Sequence, residues 1–170
     1  MIGAFVRVFT DAGSIGLFAN VLRCRSRETG QQFAAKFSSR ARYGEDCSAE
    51  IYHEIALLSL CAPSPRIIAL HDVFETPSEI IIVMEFAPGG DLQTIIDDNL
   101  VPFESDVLKF VRQLVEGLVY LHERKIAHLD IKQSRMLASN KLASSRVEPC
   151  EPLHSHPRTQ TTPCFLSIDQ

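Results

Sequence analysis

Residues 79 to 87 read EIIIVMEFA, and no other stretch restricts the fold as much. The run IIIVM is nearly continuous in apolar side chains, is rich in β-branched residues, and is bounded by charged ones. A strand without polar alternation is buried on both faces, so other parts of the chain must cover it above and below. The remaining strand candidates come from the flanks. RIIALHDVF, residues 66 to 74, precedes it across an ETPS turn. FVRVF, FANVLRCRS and QQFAAKF lie within residues 1 to 38 and read as three antiparallel strands, the last two joined through an ETG turn.

Between the third and fourth strands the period changes. Ile51, Ile55 and Leu58 fall at i, i+4 and i+7, which predicts a helix from Cys47 to Leu60. Pro63 and Pro65 stop it. After APGGD a short helix is expected over LQTIIDD. A longer one follows, with Ser105 as N-cap and Val107, Phe110, Val111, Leu114, Leu118 and Leu121 as its apolar stripe. Beyond Leu137 periodicity vanishes, and four of the nine prolines crowd into the stretch from there to Gln170. That composition predicts a disordered tail over residues 138–170.

The totals exclude several function classes. A length of 170 residues with 45% hydrophobic and 22% charged content suits one folded domain. The net charge of −4, with both signs interspersed, suggests neither a nucleic-acid nor a membrane partner. Five cysteines in an irregular pattern without C-x-x-C point to a reduced intracellular protein, cytoplasmic or nuclear. No apolar run of about 18 residues exists. The start lacks a basic n-region, which argues against a signal peptide, and Ile2 excludes N-myristoylation. Cys150, His154, His156 and Cys164 have a spacing unlike any usual zinc site, so no metal is expected there.

Four stretches carry chemistry. GSIGLFANV, residues 13 to 21, sits between two strand candidates, with Gly16 where the backbone can turn tightly or approach a ligand closely; an ordinary hairpin turn is the alternative. Lys36 lies in the third strand and Glu54 in the helix that follows it. A strand lysine pointing into a cleft is poorly solvated unless an acid pairs with it. MEFAPGGD, residues 84 to 91, is in isolation a strand and a PGG turn. YLHERKIAHLDIK, residues 120 to 132, runs from a helix end into His128, Asp130 and Lys132.

In this order the stretches resemble a protein kinase, and QQFAAKF, DCSAEIYHEIALL, EIIIVMEFAPGGDL and AHLDIK are similar to the death-associated kinases and their smaller related group implicated in apoptosis. The resemblance covers residues 10 to 132 or so. It implies an α+β fold: a kinase-like small lobe, a five-stranded antiparallel sheet plus one helix, over 1–88 with the hinge. The start of the large lobe follows over 89–137. It implies an ATP site in which Gly16 covers phosphates and Val21 and Ala34 are further nucleotide-binding residues. Lys36, paired with Glu54, holds the α- and β-phosphates, and Met84 stands at the back of the pocket. Glu85 and Ala87 offer backbone groups to the adenine edge, and Asp91 meets the ribose. Asp130 would orient a serine or threonine hydroxyl, and Lys132 would neutralise the γ-phosphate.

The pattern breaks after Lys132. The family has asparagine three residues on, as a magnesium ligand; this sequence has Arg135, which offers no lone pair. No Asp-Phe-Gly occurs in the 170 residues, and Asp169 in SIDQ has no similar context. Weak ATP binding with impaired phosphoryl transfer is therefore expected, in a truncated form whose protein magnesium ligands are missing. The alternative is an inactive interaction module or dominant-negative fragment that binds a protein partner through the exposed helix 105–122.

Overall fold

A computed structural model describes residues 5–7, 19–93, 104–129, 131–132, 136–138 and 164–166. Among these, the strands are β1 (Phe5–Arg7), β2 (Ala19–Ser26), β3 (Gln32–Ser39), β4 (Ala41–Arg42), β5 (Glu45–Asp46), β6 (Leu70–Glu75), β7 (Glu79–Glu85), β8 (Met136–Ala138) and β9 (Cys164–Leu166). The described helices are α1 (Ser48–Cys61) and α2 (Glu104–Glu123).

The apolar run forms β7, and its burial explains the rest of the architecture. Five strands make one antiparallel sheet in the order β1-β2-β3-β7-β6. Ile80, Ile82 and Met84 point to one face, where Ile51, Leu58 and Cys61 of α1 cover them with Ile67, Ile68 and Leu121. Ile81 and Val83 point to the other, with Phe5, Cys24, Phe33 and Ala35. Each such buried aliphatic side chain contributes about 1.5–3 kcal/mol. The second face needs no helix because the sheet curls. Phe5 on one edge strand meets His71 and Phe74 on the other, with ring centroids 5.9 and 6.0 Å apart.

Helix α1 begins where Asp46 Oδ1 accepts the Ser48 amide at 2.9 Å, a cap supplied from one residue before the N-cap position, Cys47. It ends at Cys61, before Pro63 and Pro65. The fourth strand starts later than RIIALHDVF predicts. Ile67 and Ile68, 2% and 3% exposed, leave the sheet to fill the space between α1 and α2. Only Leu92 and Gln93 of the short helix expected over LQTIIDD are described, both helical.

Helix α2 corrects one expectation. The stripe Val107, Phe110, Val111, Leu114, Leu118 and Leu121 is not left without a partner. Phe110 and Leu121 are buried, and Leu114 and Leu118 pack on the core beneath α1. Val107 and Val111 are exposed. With Leu108, Val115 and Val119, which the spacing did not single out, they form a second apolar line. The hydrophobic residues exceed one face, so the helix buries the side that reaches Ile67 and leaves its neighbour in water.

Cys164–Leu166 differs from the disorder expected of residues 138–170. As β9 it pairs with β8 in the register Met136↔Leu166 and Ala138↔Cys164, and it runs against α2. Strand β8 is itself tied to the turn after β7: the Gly89 amide donates to the Ala138 carbonyl at 2.8 Å, and the Ala138 amide to Gly90 at 2.9 Å.

Candidate functional site

Directly opposed residues in an antiparallel sheet share a face, and two such rows define the site. One runs Val21, Lys36, Ile82 and Val73; the next runs Arg23, Ala34, Met84 and Leu70. Val21, Ala34, Lys36 and Met84 thus lie side by side on the face that α1 covers.

Glu54 joins them from the helix. Lys36 Nζ donates to both carboxylate oxygens of Glu54, at 2.8 and 2.9 Å. Lys36 is 9% exposed and Glu54 6%, so neither charge is solvated well enough to stand alone. Strand lysine and helix acid come together because α1 crosses back over the sheet with Ile51, Glu54 and Leu58 on its inner side.

Glu85, Phe86 and Ala87 leave β7 as an extended connection. The Glu85 amide is occupied by the Ala69 carbonyl at 2.9 Å, and the Ala87 carbonyl accepts the Gly90 amide at 3.3 Å. Gly90 adopts φ 77°, a conformation that suits glycine and turns the chain. Asp91 then bridges to Leu137, which sets it beside β8. Arg23 stacks its guanidinium over the Phe86 ring at 5.3 Å and so covers this connection.

Helix α2 delivers the chain toward the His128 loop through a Schellman turn. The Ile126 amide bonds the Leu121 carbonyl and the Lys125 amide bonds the His122 carbonyl, both at 3.0 Å. Lys125 carries φ 61° in the left-handed position where glycine is usual. Lys132 is exposed. Gly16, Asp130 and Arg135 lie outside the described residues. Among the described residues no group of three His, Cys, Asp or Glu could hold a metal ion.

Electrostatics outside the Lys36 pair centres on three arginines that the spacing arguments missed. Arg66, in the loop after α1, donates to Glu116 at 2.9 Å and to Gln113 at 3.2 Å, while Arg112 donates to Glu116 from one turn earlier on α2. The two guanidiniums, Arg66 before Arg112, hold the Glu116 carboxyl below its ordinary range. Arg40 does the equivalent at the other end of α1, among Ser48, Tyr52, Glu75 and Thr76. Burial raises the Cys24 and Cys61 thiols. Arginines in SSRAR or SPRII resemble any solvated charge, so only the fold reveals what they join.

A curled five-stranded sheet in this order, backed by one helix after its third strand, defines a protein-kinase small lobe. The model of the protein kinase domain family matches residues 11–146, and the chain belongs to that family. Serine/threonine-protein kinase 17A of Oryctolagus cuniculus is 42% identical over 127 residues, covering 74% of this chain and 32% of the relative. A death-associated protein kinase related protein of Drosophila melanogaster is 41% identical over 133 residues, covering 78% and 19%. Death-associated protein kinase 2 of Mus musculus is 35% identical over 141 residues, covering 81% and 38%. The chain thus spans between about a fifth and two fifths of these relatives' lengths. Among solved structures, Rad53 1-466 in complex with AMP-PNP matches with a TM-score of 0.67 and 26% identity, covering 82% of this chain and 36% of the other.

Proposed function

We propose that this chain binds the adenine nucleotide of a death-associated-type serine/threonine kinase and that its own phosphoryl transfer to serine or threonine is impaired. The carrying observation is the buried, two-bonded Lys36–Glu54 pair on the face shared with Val21, Ala34 and Met84. A lysine held there by carboxylate is preorganised to meet the α- and β-phosphates without new side-chain ordering. The Glu85 and Ala87 backbones face the adenine edge, Gly16 covers the phosphates, and Asp91 contacts the ribose. Asp130 and Lys132 take the substrate hydroxyl and the γ-phosphate.

Impairment rests on Arg135. A permanently charged donor occupies the position at which the family presents a neutral oxygen ligand, so the residues of this loop do not fit a divalent ion. Removing one preorganised charge stabiliser costs about 10²–10³ in rate. Arg135 can attract phosphate, which aids binding and does nothing for the transfer step.

Thermal-shift titration tests the binding. ATP at about ten times its dissociation constant should raise Tm by roughly 3–6 °C, equally with and without a magnesium chelator. A folded protein that millimolar nucleotide leaves unshifted rejects the proposal. A second reading, an interaction module, is favoured by the exposed line Leu108, Val111, Val115 and Val119 on α2. Light scattering that finds only monomer, with no binding of a hydrophobic dye, would remove its support.

A further inference from the structure

Helix α1 is gripped from two sides by β3 and the residue that follows it. Lys36 in β3 takes its inner face through Glu54. Four residues further along the same run, Arg40 takes its outer face through Ser48 and Tyr52. Positions 52 and 54 lie two apart on a helix and therefore point to nearly opposite sides. We propose that Arg40 is a positioning residue that fixes the rotation of α1 and thereby keeps Glu54 within bonding distance of Lys36.

Every polar group of Arg40 contributes to that link. Its amide donates to the Ser78 carbonyl at 2.9 Å, and its carbonyl accepts the Cys47 amide at 2.7 Å. Nε donates to the Thr76 carbonyl at 3.0 Å, Nη1 to Ser48 Oγ at 3.3 Å and to Tyr52 Oη at 3.4 Å, and Nη2 to Glu75 Oε2. The Tyr52 hydroxyl closes the circuit by donating to the same Glu75 oxygen at 2.8 Å. The end of β3, the start of α1 and the β6–β7 turn meet at one side chain. The apolar contacts of Ile51 and Leu58 hold α1 on the sheet but are non-directional, so they permit a rotation that a planar, multiply bonded guanidinium forbids.

The consequence for nucleotide rests on the proposed function, but the position of Lys36 can be read without nucleotide. Acylation of the full chain by a small succinimidyl ester, followed by peptide mass spectrometry, gives the Lys36 rate relative to exposed Lys125. Arg40→Ala is expected to raise the Lys36 rate about fivefold or more, because the amine spends more time away from its carboxylate. Arg40→Lys should fall between, since one ammonium cannot serve four acceptors. Arg66→Ala, which unties the loop after α1 from α2, should leave the rate within about twofold of wild type if the effect is specific to the Arg40 link. Wild-type protection in folded Arg40→Ala, or an equal rise in Arg66→Ala, overturns the proposal. If Arg40→Ala does not fold, Tyr52→Phe and Glu75→Gln decide: a graded rise supports it and unchanged rates refute it. Nucleotide is absent throughout, so a failure here is distinct from a failure to bind ATP.

Discussion

At Lys36 and Glu54 two charges share a site that water hardly reaches, and each offsets much of the cost of desolvating the other. Glu54→Gln replaces the carboxylate that faces the buried ammonium with a neutral acceptor. The expected loss is about 3–5 kcal/mol, read as a lower urea midpoint. Lys36→Met combined with Glu54→Leu removes both charges, and most of that loss should return. A double variant as weak as the single one would mean that packing, not the stranded charge, sets the cost. Exposed carboxylates give a different signature. The Glu116 carboxyl is depressed by Arg66 and Arg112, so its stabilising contribution is present above its ordinary value of 4.5 and is lost as pH falls through its lower folded value. Glu75 behaves alike, through the Tyr52 hydroxyl and then Arg40. Urea midpoints measured between pH 6 and 3 should therefore decline less steeply in Glu116→Gln than in wild type.

Helix α2 has more apolar residues than one face can bury, and this decides both its behaviour and its legibility. Leu121, fully buried against the α1 core, should cost about 2–5 kcal/mol when cut to alanine. Val115→Lys, at 49% exposure, should leave Tm within about 1 °C and lower any self-association seen by light scattering. The i, i+3, i+4 pattern announced the helix to within two residues at each end, although Ser105, expected as its N-cap, lies inside a helix that starts at Glu104, and two overlapping stripes could not tell which would face Ile67. Strands β2, β3 and β7 were readable because propensity, turns and burial agree in them. The Lys36–Glu54 pairing was readable for a related reason: a strand lysine needs an anion, and α1 offers one on its inner face. The pairing of β8 with β9 was not. Strands this short, far apart in the chain, have no periodicity to detect, and the contacts of β8 with the turn at Gly89 and Gly90 are made by backbone. Arg40 and Arg66 were illegible for the converse reason, since their carboxylate partners lie 35 and 50 residues away.

Across the whole molecule, a nucleotide cleft and a phosphoryl-transfer machine are separable demands. Holding a triphosphate asks for one buried cation, a closed adenine pocket and backbone groups, and the rows through Val21–Lys36 and Ala34–Met84 assemble the first part of that set. Moving the terminal phosphoryl group asks in addition for fixed charge on the leaving and attacking oxygens, and little covalent help from the protein can replace it. Arg135 supplies a positive charge but on a long side chain that cannot bind an ion between phosphate oxygens. Wild type and Asp130→Asn are therefore expected to incorporate radiolabelled phosphate into a serine- or threonine-containing peptide at the same background rate. Arg135→Asn alone should not lift that rate to the order of 1–100 s⁻¹ usual for kinases, because a single ligand does not make the site. A wild-type rate that falls at least tenfold on Asp130→Asn would show instead that Asp130 works with a metal held in some other way, and the cleft would have to be read as an active one.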